Sequence, residues 1–271
     1  MRTGTNRTEI LRCVNNAMRL QAKIMKASMR VWKDFPQEYT EEITAVANDL
    51  FPLISFPGTV VTLPSASKES YLATLKSSRR NKLKKKLRLA ADAPVNIEVL
   101  HQPDSATLDE IFNLFWQTYE KGATKFERLN RKFFDLISSE NHSYFIVLKE
   151  RTSGKIVAFM LCFALGKHVI NKFIGIDYQQ PKEWFLYFRL WEAAVDWSAS
   201  QGATSIQSGQ TGYAPKIELG NTLIPFNNYC AHVNPIIHRI YALVAKSINW
   251  DTLDEDLATY VQAYPEHKPK T

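Results

Sequence analysis

The N-terminal part of the chain carries apolar residues at helical spacing. They recur every three or four positions over residues 8–31, which predicts an amphipathic helix. Further helices are predicted over residues 38–50 and 67–91, the latter with Ser67 as its N-cap. A short strand is predicted over residues 59–63, within a segment punctuated by proline and glycine, so we expect a domain boundary near this strand.

From residue 95 onward, short strands alternate with helices. The predicted strands cover residues 95–100, 143–149, 156–165, 168–176, 204–207 and 223–233. The predicted helices cover residues 106–120, 131–138, 184–200, 214–219 and 235–248. Short turn-like linkers join the three strands within residues 143–176, which predicts an antiparallel meander. This order of elements indicates an α/β (α+β) fold.

The formal net charge is +7, and much of the excess lies in one predicted helix. Its cationic residues are Lys76, Arg79, Arg80, Lys82, Lys84, Lys85, Lys86 and Arg88. This basic helix 76–88 favours an anionic partner: nucleic acid, a phosphate-bearing cofactor, an acidic carrier protein or a membrane surface. Charge alone does not choose among these partners, and a solvated helix face is the structural alternative.

Several classes of protein are excluded by simple sequence features. The three cysteines are scattered, which suits a reducing compartment without a disulfide framework, and the His and Cys spacings offer no metal site. No Gly-x-Ser-x-Gly motif is present. The N-terminus has no apolar signal region, and no apolar stretch reaches the length of a spanning helix. We therefore expect a cytoplasmic protein that is not integral to a membrane.

Three stretches of the sequence together resemble a known family. They are residues 71–85 (YLATLKSSRRNKLKK), residues 175–178 (GIDY) running into the helix that ends at Gly202, and residues 209–220 (GQTGYAPKIELG) followed by Pro225. Their order and spacing resemble the Fem-type, FemAB-like branch of the GNAT fold. The resemblance spans roughly residues 59–241. It implies a mixed sheet with flanking helices, and a donor ester or thioester whose acyl group moves to an amine.

The same resemblance suggests how the chain is organised. Residues 56–250 would form the GNAT-like transferase domain. A short helical region, residues 1–55, would precede it, and a C-terminal helix with a tail, residues 251–271, would follow. We expect the tail to be unstructured from residue 266, and the sequence leaves the oligomeric state open.

A candidate donor-binding segment lies where a predicted strand ends before the helix 184–200. Such a junction exposes backbone N–H groups and the positive end of a helix dipole. The common acetyl-CoA enzymes hold pyrophosphate here with a glycine-rich loop, but residues 177–183 contain no glycine. The candidate donor-binding residues in this segment are Gln179, Lys182, Trp184 and Phe185. An ordinary strand-to-helix connection is the alternative.

The segment 209–220 is the strongest candidate for the reaction centre. Tyr213 could protonate a leaving group or hold an oxyanion, and Lys216 could neutralise a phosphate or the tetrahedral intermediate. Fem-type relatives place a lysine at this spacing before a glycine, and Lys216 matches it. The alternatives are a solvated surface lysine and a core aromatic residue. Asp177 is the third predicted catalytic residue, and the candidate bases are Asp177, Glu218, His168 and His232.

These observations favour an N-acyltransferase in which an amine attacks the donor directly. The donor would be a thioester, acyl-CoA or an acyl carrier protein, used as a co-substrate with no permanently bound cofactor. The anionic part of the donor would bind the basic helix through Arg79, Arg80 and Lys84. One alternative is an aminoacyl-tRNA-dependent aminoacyltransferase, and another is a non-catalytic basic binding module on a GNAT scaffold.

Overall fold

The computed structural model describes residues 6–122, 125 and 127–269 of the 271-residue chain. Its helices are α1 (Arg7–Ile24), α2 (Thr40–Val46), α3 (Lys68–Thr74), α4 (Ser77–Leu89), α5 (Ser105–Lys121), α6 (Arg131–Ser138), α7 (Leu186–Ser200), α8 (Tyr213–Glu218), α9 (Pro235–Ala245), α10 (Trp250–Leu253) and α11 (Glu255–Ala263). Its strands are β1 (Met29–Pro36), β2 (Phe51–Ile54), β3 (Gly58–Thr62), β4 (Val95–Leu100), β5 (Ser143–Glu150), β6 (Ile156–Leu165), β7 (His168–Ile176), β8 (Ser205–Ser208), β9 (Thr222–Ile224) and β10 (Phe226–His232).

The chain forms two compact units. The central unit comprises Thr59–Thr222, and the terminal unit combines Met1–Gly58 with Leu223–Thr271. The large sheet has the strand order β4-β5-β6-β7-β8-β3-β9 and is mixed: β4 to β7 run antiparallel, and β7 pairs with β8 in parallel. The predicted α/β fold and its antiparallel meander are therefore confirmed.

The core of the central unit has two layers because successive strand residues face opposite sides of the sheet. On β5, Ile146 and Leu148 join one apolar cluster with α3, α4 and α7. Phe145 and Val147 join the other cluster with α5 and α6. Helices thus cover both faces of the meander.

Gly175 in β7 allows α5 to lie very close to the sheet. A Cβ atom at this position would be 2.4 Å from Phe159 Cε1 and 2.6 Å from the carbonyl carbon of Leu114. The second of these atoms is helix backbone, which cannot move away as a side chain can. The glycine in the GIDY stretch therefore sets the distance between α5 and the sheet.

The terminal unit is built on a separate three-stranded antiparallel sheet with the order β1-β10-β2. Its core contains Leu11, Trp32, Ile43, Ala47, Leu50, Tyr229 and Ala231. The predicted helical character of residues 1–55 is only partly right, because β1 and β2 lie within this region. The C-terminal helix predicted after residue 250 is present as α10 and α11.

Two helices at the N-terminus are shorter than predicted. The helix predicted over residues 8–31 ends at Ile24, and Lys26 has a φ of 52°, which is incompatible with continuing the helix. The apolar run after it forms β1, which pairs with β10. The helix predicted over residues 38–50 is reduced to α2, preceded by a 3₁₀ turn at Gln37–Tyr39. In the first of these places a strand partner far along the chain overrides the local pattern.

The predicted helix 67–91 is interrupted, although its N-cap Ser67 is confirmed. Leu75 and Lys76 are extended, and they separate α3 from α4. Leu75 is buried, and a Cβ atom on Gly220 would lie 2.2 Å from its Cδ2 atom. The break thus places Leu75 against the end of α8.

Three further boundaries differ from the sequence predictions. The strand predicted over residues 223–233 is divided at Pro225 into β9 and β10, which belong to different sheets. The helix predicted from residue 184 begins at Leu186. The tail predicted from residue 266 begins with a 3₁₀ turn at Pro265–His267, and its last two residues lie outside the described part of the chain.

Candidate functional site

The centre of the large sheet opens where β7 and β8 separate. They pair in parallel only from His168 and Ser205 to Asn171 and Ser208, although β7 continues to Ile176. The pairs of Asn171 with Cys162 and of Phe173 with Leu161 leave Lys172 as an extra residue in β7. Such a bulge bends its strand and increases the local twist. The loop 209–212 starts at this opening.

Lys216 lies beneath this loop. Its Nζ atom donates hydrogen bonds to the carbonyl oxygens of Gly209 and Thr211, both at 2.6 Å. The residue is only 9% exposed. The chain can fold back over it because Gly212, the N-cap of α8, has a φ of 62°. The alternative of a solvated surface lysine is therefore wrong.

The surroundings of Lys216 favour its neutral form. Among the residues that the structure describes, no carboxylate forms an ion pair with it. Burial removes water from the ammonium group and lowers the pKa of Lys216 to about 7. A lysine with this pKa exists in both protonation states near neutral pH, so it can accept a proton and return it.

Two further buried polar atoms flank the loop and α8. Ser208 Oγ and Asn221 Oδ1 have no hydrogen-bond partner within the described structure. Asn221 is held in place because its Nδ2 atom donates to the carbonyl oxygen of Lys216 at 2.9 Å. Buried polar atoms without partners are rare in folded proteins and are candidates for contact with a substrate or water. Sequence reasoning did not identify either residue, because Ser and Asn are common in loops.

The three predicted catalytic residues lie on two elements: Tyr213 and Lys216 belong to α8, and Asp177 directly follows β7. Tyr213 is fully buried at the start of α8, three positions before Lys216, so both lie on one side of this helix. Asp177 instead holds its own turn: its carboxylate accepts hydrogen bonds from Gln179 N at 3.0 Å and Gln180 Nε2 at 2.7 Å. None of the hydrogen bonds described for Asp177 or Lys216 joins the two residues.

The predicted donor-binding loop lacks part of the geometry expected of it. Gln179 and Lys182 are exposed, and Trp184 and Phe185 are partly buried. The backbone N–H groups of Trp184 and Phe185 donate to the carbonyl oxygens of Pro181 and Lys182 in a 3₁₀ turn. These two amides are therefore not available to an anion, contrary to the expectation from sequence.

The other candidate bases are engaged elsewhere. Glu218 binds Lys86 Nζ with both carboxylate oxygens, at 2.7 and 2.8 Å. His168 Nδ1 lies 2.8 Å from Ser205 Oγ. His232 belongs to the terminal unit, and its Nδ1 atom accepts a hydrogen bond from Asn234 N. None of these three contacts involves Lys216.

The basic helix α4 is attached to the same element that carries Lys216. Leu83 anchors its inner side in the core, and Lys86 joins it to Glu218 of α8. Lys86 also lies 3.9 Å from the centre of the Phe188 ring. The cations without an ion pair to any described carboxylate are Arg79, Arg80, Lys82, Lys84, Lys85 and Arg88. The Lys86–Glu218 pair could not be found from sequence, because 132 positions separate the two residues.

A mixed sheet with helices on both faces is the fold that the resemblance to the GNAT type implies. The chain belongs to the FemAB-like family, described as peptidoglycan biosynthesis/recognition, whose family model matches residues 60–256. The resemblance stated from the sequence is thereby confirmed. No helix in the described part of the chain is long and apolar enough to cross a membrane.

Several solved structures share this fold at low sequence identity. FemX has a TM-score of 0.63 at 12% identity, covering 87% of this chain and 80% of that chain. The C-terminal domain of a putative lysylphosphatidylglycerol synthetase from Agrobacterium fabrum has a TM-score of 0.62 at 13% identity, covering 86% and 75%. A tandem GNAT protein from the clavulanic acid biosynthesis pathway has a TM-score of 0.52 at 10% identity, covering 86% and 73%.

At these identities the likeness concerns the fold alone. A comparison with curated proteins gives no significant match.

Proposed function

We propose that this chain is an aminoacyltransferase that uses aminoacyl-tRNA as its donor and an amine of a peptidoglycan precursor peptide as its acceptor. The observation that carries the proposal is buried Lys216, whose pKa of about 7 suits proton transfer at the opening between β7 and β8. The family description, peptidoglycan biosynthesis/recognition, supports the choice of acceptor.

Two features favour a tRNA ester over the thioester donors that the sequence first suggested. The loop before α7 has no glycine, and its amides at Trp184 and Phe185 are consumed within a 3₁₀ turn. A pyrophosphate of coenzyme A would need such groups. The unpaired cations of α4 instead suit the regularly spaced phosphates of a nucleic acid.

The hydrogen bonds of Lys216 suggest how it would act. Neutral lysine has two N–H groups, both given to the carbonyls of Gly209 and Thr211, and one lone pair that remains. The acceptor amine attacks the ester carbonyl, and this lone pair takes the proton that the amine loses. The ammonium then gives a proton to the departing ribose oxygen. The products are an amide and a free tRNA hydroxyl, and Lys216 returns to its starting state.

The donor class can be tested directly by comparing substrates. Purified protein would be incubated with a peptidoglycan precursor and either a mixture of radiolabelled aminoacyl-tRNAs or labelled acetyl-CoA. We expect label in the precursor from aminoacyl-tRNA only. Label from acetyl-CoA alone would reject the proposed donor, and release of the amino acid without transfer in the presence of precursor would reject the proposed acceptor.

A further inference from the structure

A row of buried polar residues crosses the large sheet at the point where β7 and β8 separate. Ser208 is the last residue of β8, and its Cα partners are Thr59 of β3 and Asn171 of β7. Thr59 is fully buried, and Ser208 and Asn171 are only 5% and 6% exposed. We call these three residues the polar row. Buried sheet positions are usually apolar, so three adjacent polar side chains indicate a role other than packing.

The side chains of the polar row lie on the face of the sheet that α7 covers. The residues two positions away, Val61, Ile206 and Val169, pair with one another across the same strands and belong to the apolar cluster of that face. Side chains two positions apart on a strand share a face, so the polar row continues this apolar row towards the opening. A group that enters between β7 and β8 therefore reaches Ser208 and Asn171 at the closed end of the opening.

Two side chains of the row have hydrogen-bond donors that are not used. Ser208 Oγ is buried and has no hydrogen-bond partner within the described structure. The side chain of Asn171 likewise makes no hydrogen bond among the described residues. Thr59 differs, because its Oγ1 atom donates to the carbonyl oxygen of Gly209 at 3.4 Å. An unpaired buried donor costs stability, and a ligand that accepts its hydrogen bond compensates for that cost.

Lys216 reaches the same place from α8. The carbonyl oxygen of Gly209 accepts hydrogen bonds from both Thr59 Oγ1 and Lys216 Nζ, at 3.4 and 2.6 Å. The acid–base group and the polar row thus share one acceptor atom, in the residue directly after Ser208. Free donors beside an acid–base group are the combination that acyl transfer uses.

We propose that Ser208 Oγ–H and Asn171 Nδ2–H hold the carbonyl oxygen of the donor ester and stabilise the negative charge that it acquires in the tetrahedral intermediate. Neighbouring strands lie roughly 4.8 Å apart, so side chains at paired positions on one face can approach the same oxygen atom. Both groups are uncharged, and their hydrogen bonds strengthen when the acceptor becomes an anion. They therefore favour the transition state over the bound ester.

This inference rests on the proposed function and adds an oxyanion site to it. As the acceptor amine forms its bond to the carbonyl carbon, one electron pair of the C=O bond moves to the oxygen. Ser208 and Asn171 donate hydrogen bonds to this oxygen but transfer no proton. When the carbonyl forms again, the bond to the ribose oxygen breaks, and Lys216 gives that oxygen the proton taken from the amine. The step therefore balances without a further reactant.

Removing the serine hydroxyl distinguishes this role from a structural one. Ser208→Ala should lower kcat by about 10² and change KM by less than about threefold, because the lost hydrogen bond acts in the transition state. Its Tm should not fall, because a buried hydroxyl without a partner contributes no favourable bond. The matched control is Ser198→Ala, which removes another buried, unpartnered hydroxyl, from α7. We expect this control to keep both the kcat and the Tm of the original chain.

A second variant tests whether the two donors act on one atom. Asn171→Leu keeps a similar shape and removes the amide donors, so kcat should fall by at least about tenfold. The double variant of Ser208→Ala and Asn171→Leu should lose less than the product of the two single losses, as residues that act as a unit do. Losses that multiply would show that the two side chains act at different atoms, contrary to the proposal.

The donor in these assays is whichever one transfers label to the peptidoglycan precursor in the original chain. Transfer from acetyl-CoA alone would reject the proposed aminoacyl-tRNA donor, but the variants would still test the polar row, because a thioester has the same carbonyl oxygen. Absence of transfer from both donors would reject both proposals. Full kcat in Ser208→Ala would overturn the oxyanion site alone. A Tm well below that of Ser198→Ala would also overturn it, because the hydroxyl would then hold a structural water.

Discussion

Lys216 is held by two backbone carbonyls of its own loop, and its burial lowers its pKa. The family resemblance identified the position from its spacing before Gly220. Its burial and its bonds to Gly209 and Thr211 could not be predicted, because they depend on the positive φ of Gly212 and on the path of the loop. Local sequence thus indicated the residue, and tertiary structure determines its protonation.

Replacing Lys216 with Met should remove the acid–base group while keeping a similar volume. We expect kcat/KM for aminoacyl transfer to fall by about 10² to 10⁴. In the original chain kcat/KM should rise as the pH passes about 7, because the neutral amine takes the proton of the acceptor. The Met variant should lose this rise.

Two controls separate this role from a structural one. Lys216→Arg keeps the charge but cannot deprotonate, so it should be as inactive as the Met variant at every pH. Lys155→Met removes an exposed lysine from the turn between β5 and β6 and should keep most of the activity. Full activity in either Lys216 variant would reject the proposed role.

The lowered pKa of Lys216 also predicts a pH-dependent stability. Between about pH 7 and pH 10.5 the unfolded chain binds the lysine proton and the folded chain does not. The free energy of unfolding should therefore rise with pH across this window, relative to Lys216→Met, by up to about 1.4 kcal/mol per pH unit. Urea unfolding of both proteins at pH 7, 8, 9 and 10 measures this difference. Parallel stability curves would show that Lys216 titrates normally.

At the scale of elements, α4 shows what periodicity can and cannot predict. The sequence predicted one basic helix over residues 67–91 with its N-cap at Ser67; Ser67 caps α3, and the basic residues lie on the separate helix α4. The interruption at Leu75 could not be predicted, because it follows from the packing of this side chain against Gly220. Tyr71 of α3 makes a second contact with the end of α8. Its hydroxyl donates to the carbonyl oxygen of Leu219 and accepts from Trp191 Nε1.

The unpaired cations of α4 should bind tRNA phosphates. The variant Arg79→Glu, Arg80→Glu and Lys84→Glu should weaken tRNA binding by at least tenfold at moderate salt and flatten its dependence on salt concentration. Filter binding between 50 and 300 mM salt would measure both effects.

The matched control for α4 is Lys132→Glu, Lys155→Glu and Lys167→Glu, which changes the net charge by the same amount. Equal loss in this control would show that tRNA responds to net charge and not to α4. Lys86 is left intact in both variants because its ion pair with Glu218 holds α4 to α8.

At the scale of the whole molecule, elements that contact their sequence neighbours were predicted and distant pairings were not. The meander β5–β6–β7 was predicted because short turns connect its strands. The small sheet was missed because β10 lies between β1 and β2, which are far from it along the chain. A mixed pattern of short apolar runs cannot identify such partners.

The protection of β1 and β2 from hydrogen exchange should therefore depend on the middle strand of the small sheet, β10. Cys230 is opposite both Val31 of β1 and Phe51 of β2. Cys230→Pro removes a backbone donor from the middle strand, which a sheet interior does not tolerate. Hydrogen exchange should become at least tenfold faster in β1 and β2, whereas Cys230→Ala should leave it nearly unchanged. Unaltered protection of β1 in the proline variant would contradict this pairing.

The position of β10 also has a consequence for synthesis on the ribosome. Both outer strands of the small sheet emerge long before the strand that joins them, because the whole stretch Thr59–Thr222 is translated in between. At typical translation rates the wait is on the order of ten to thirty seconds. During this interval the nascent chain exposes two unpaired strand edges, which are the features that chaperones bind and that promote aggregation.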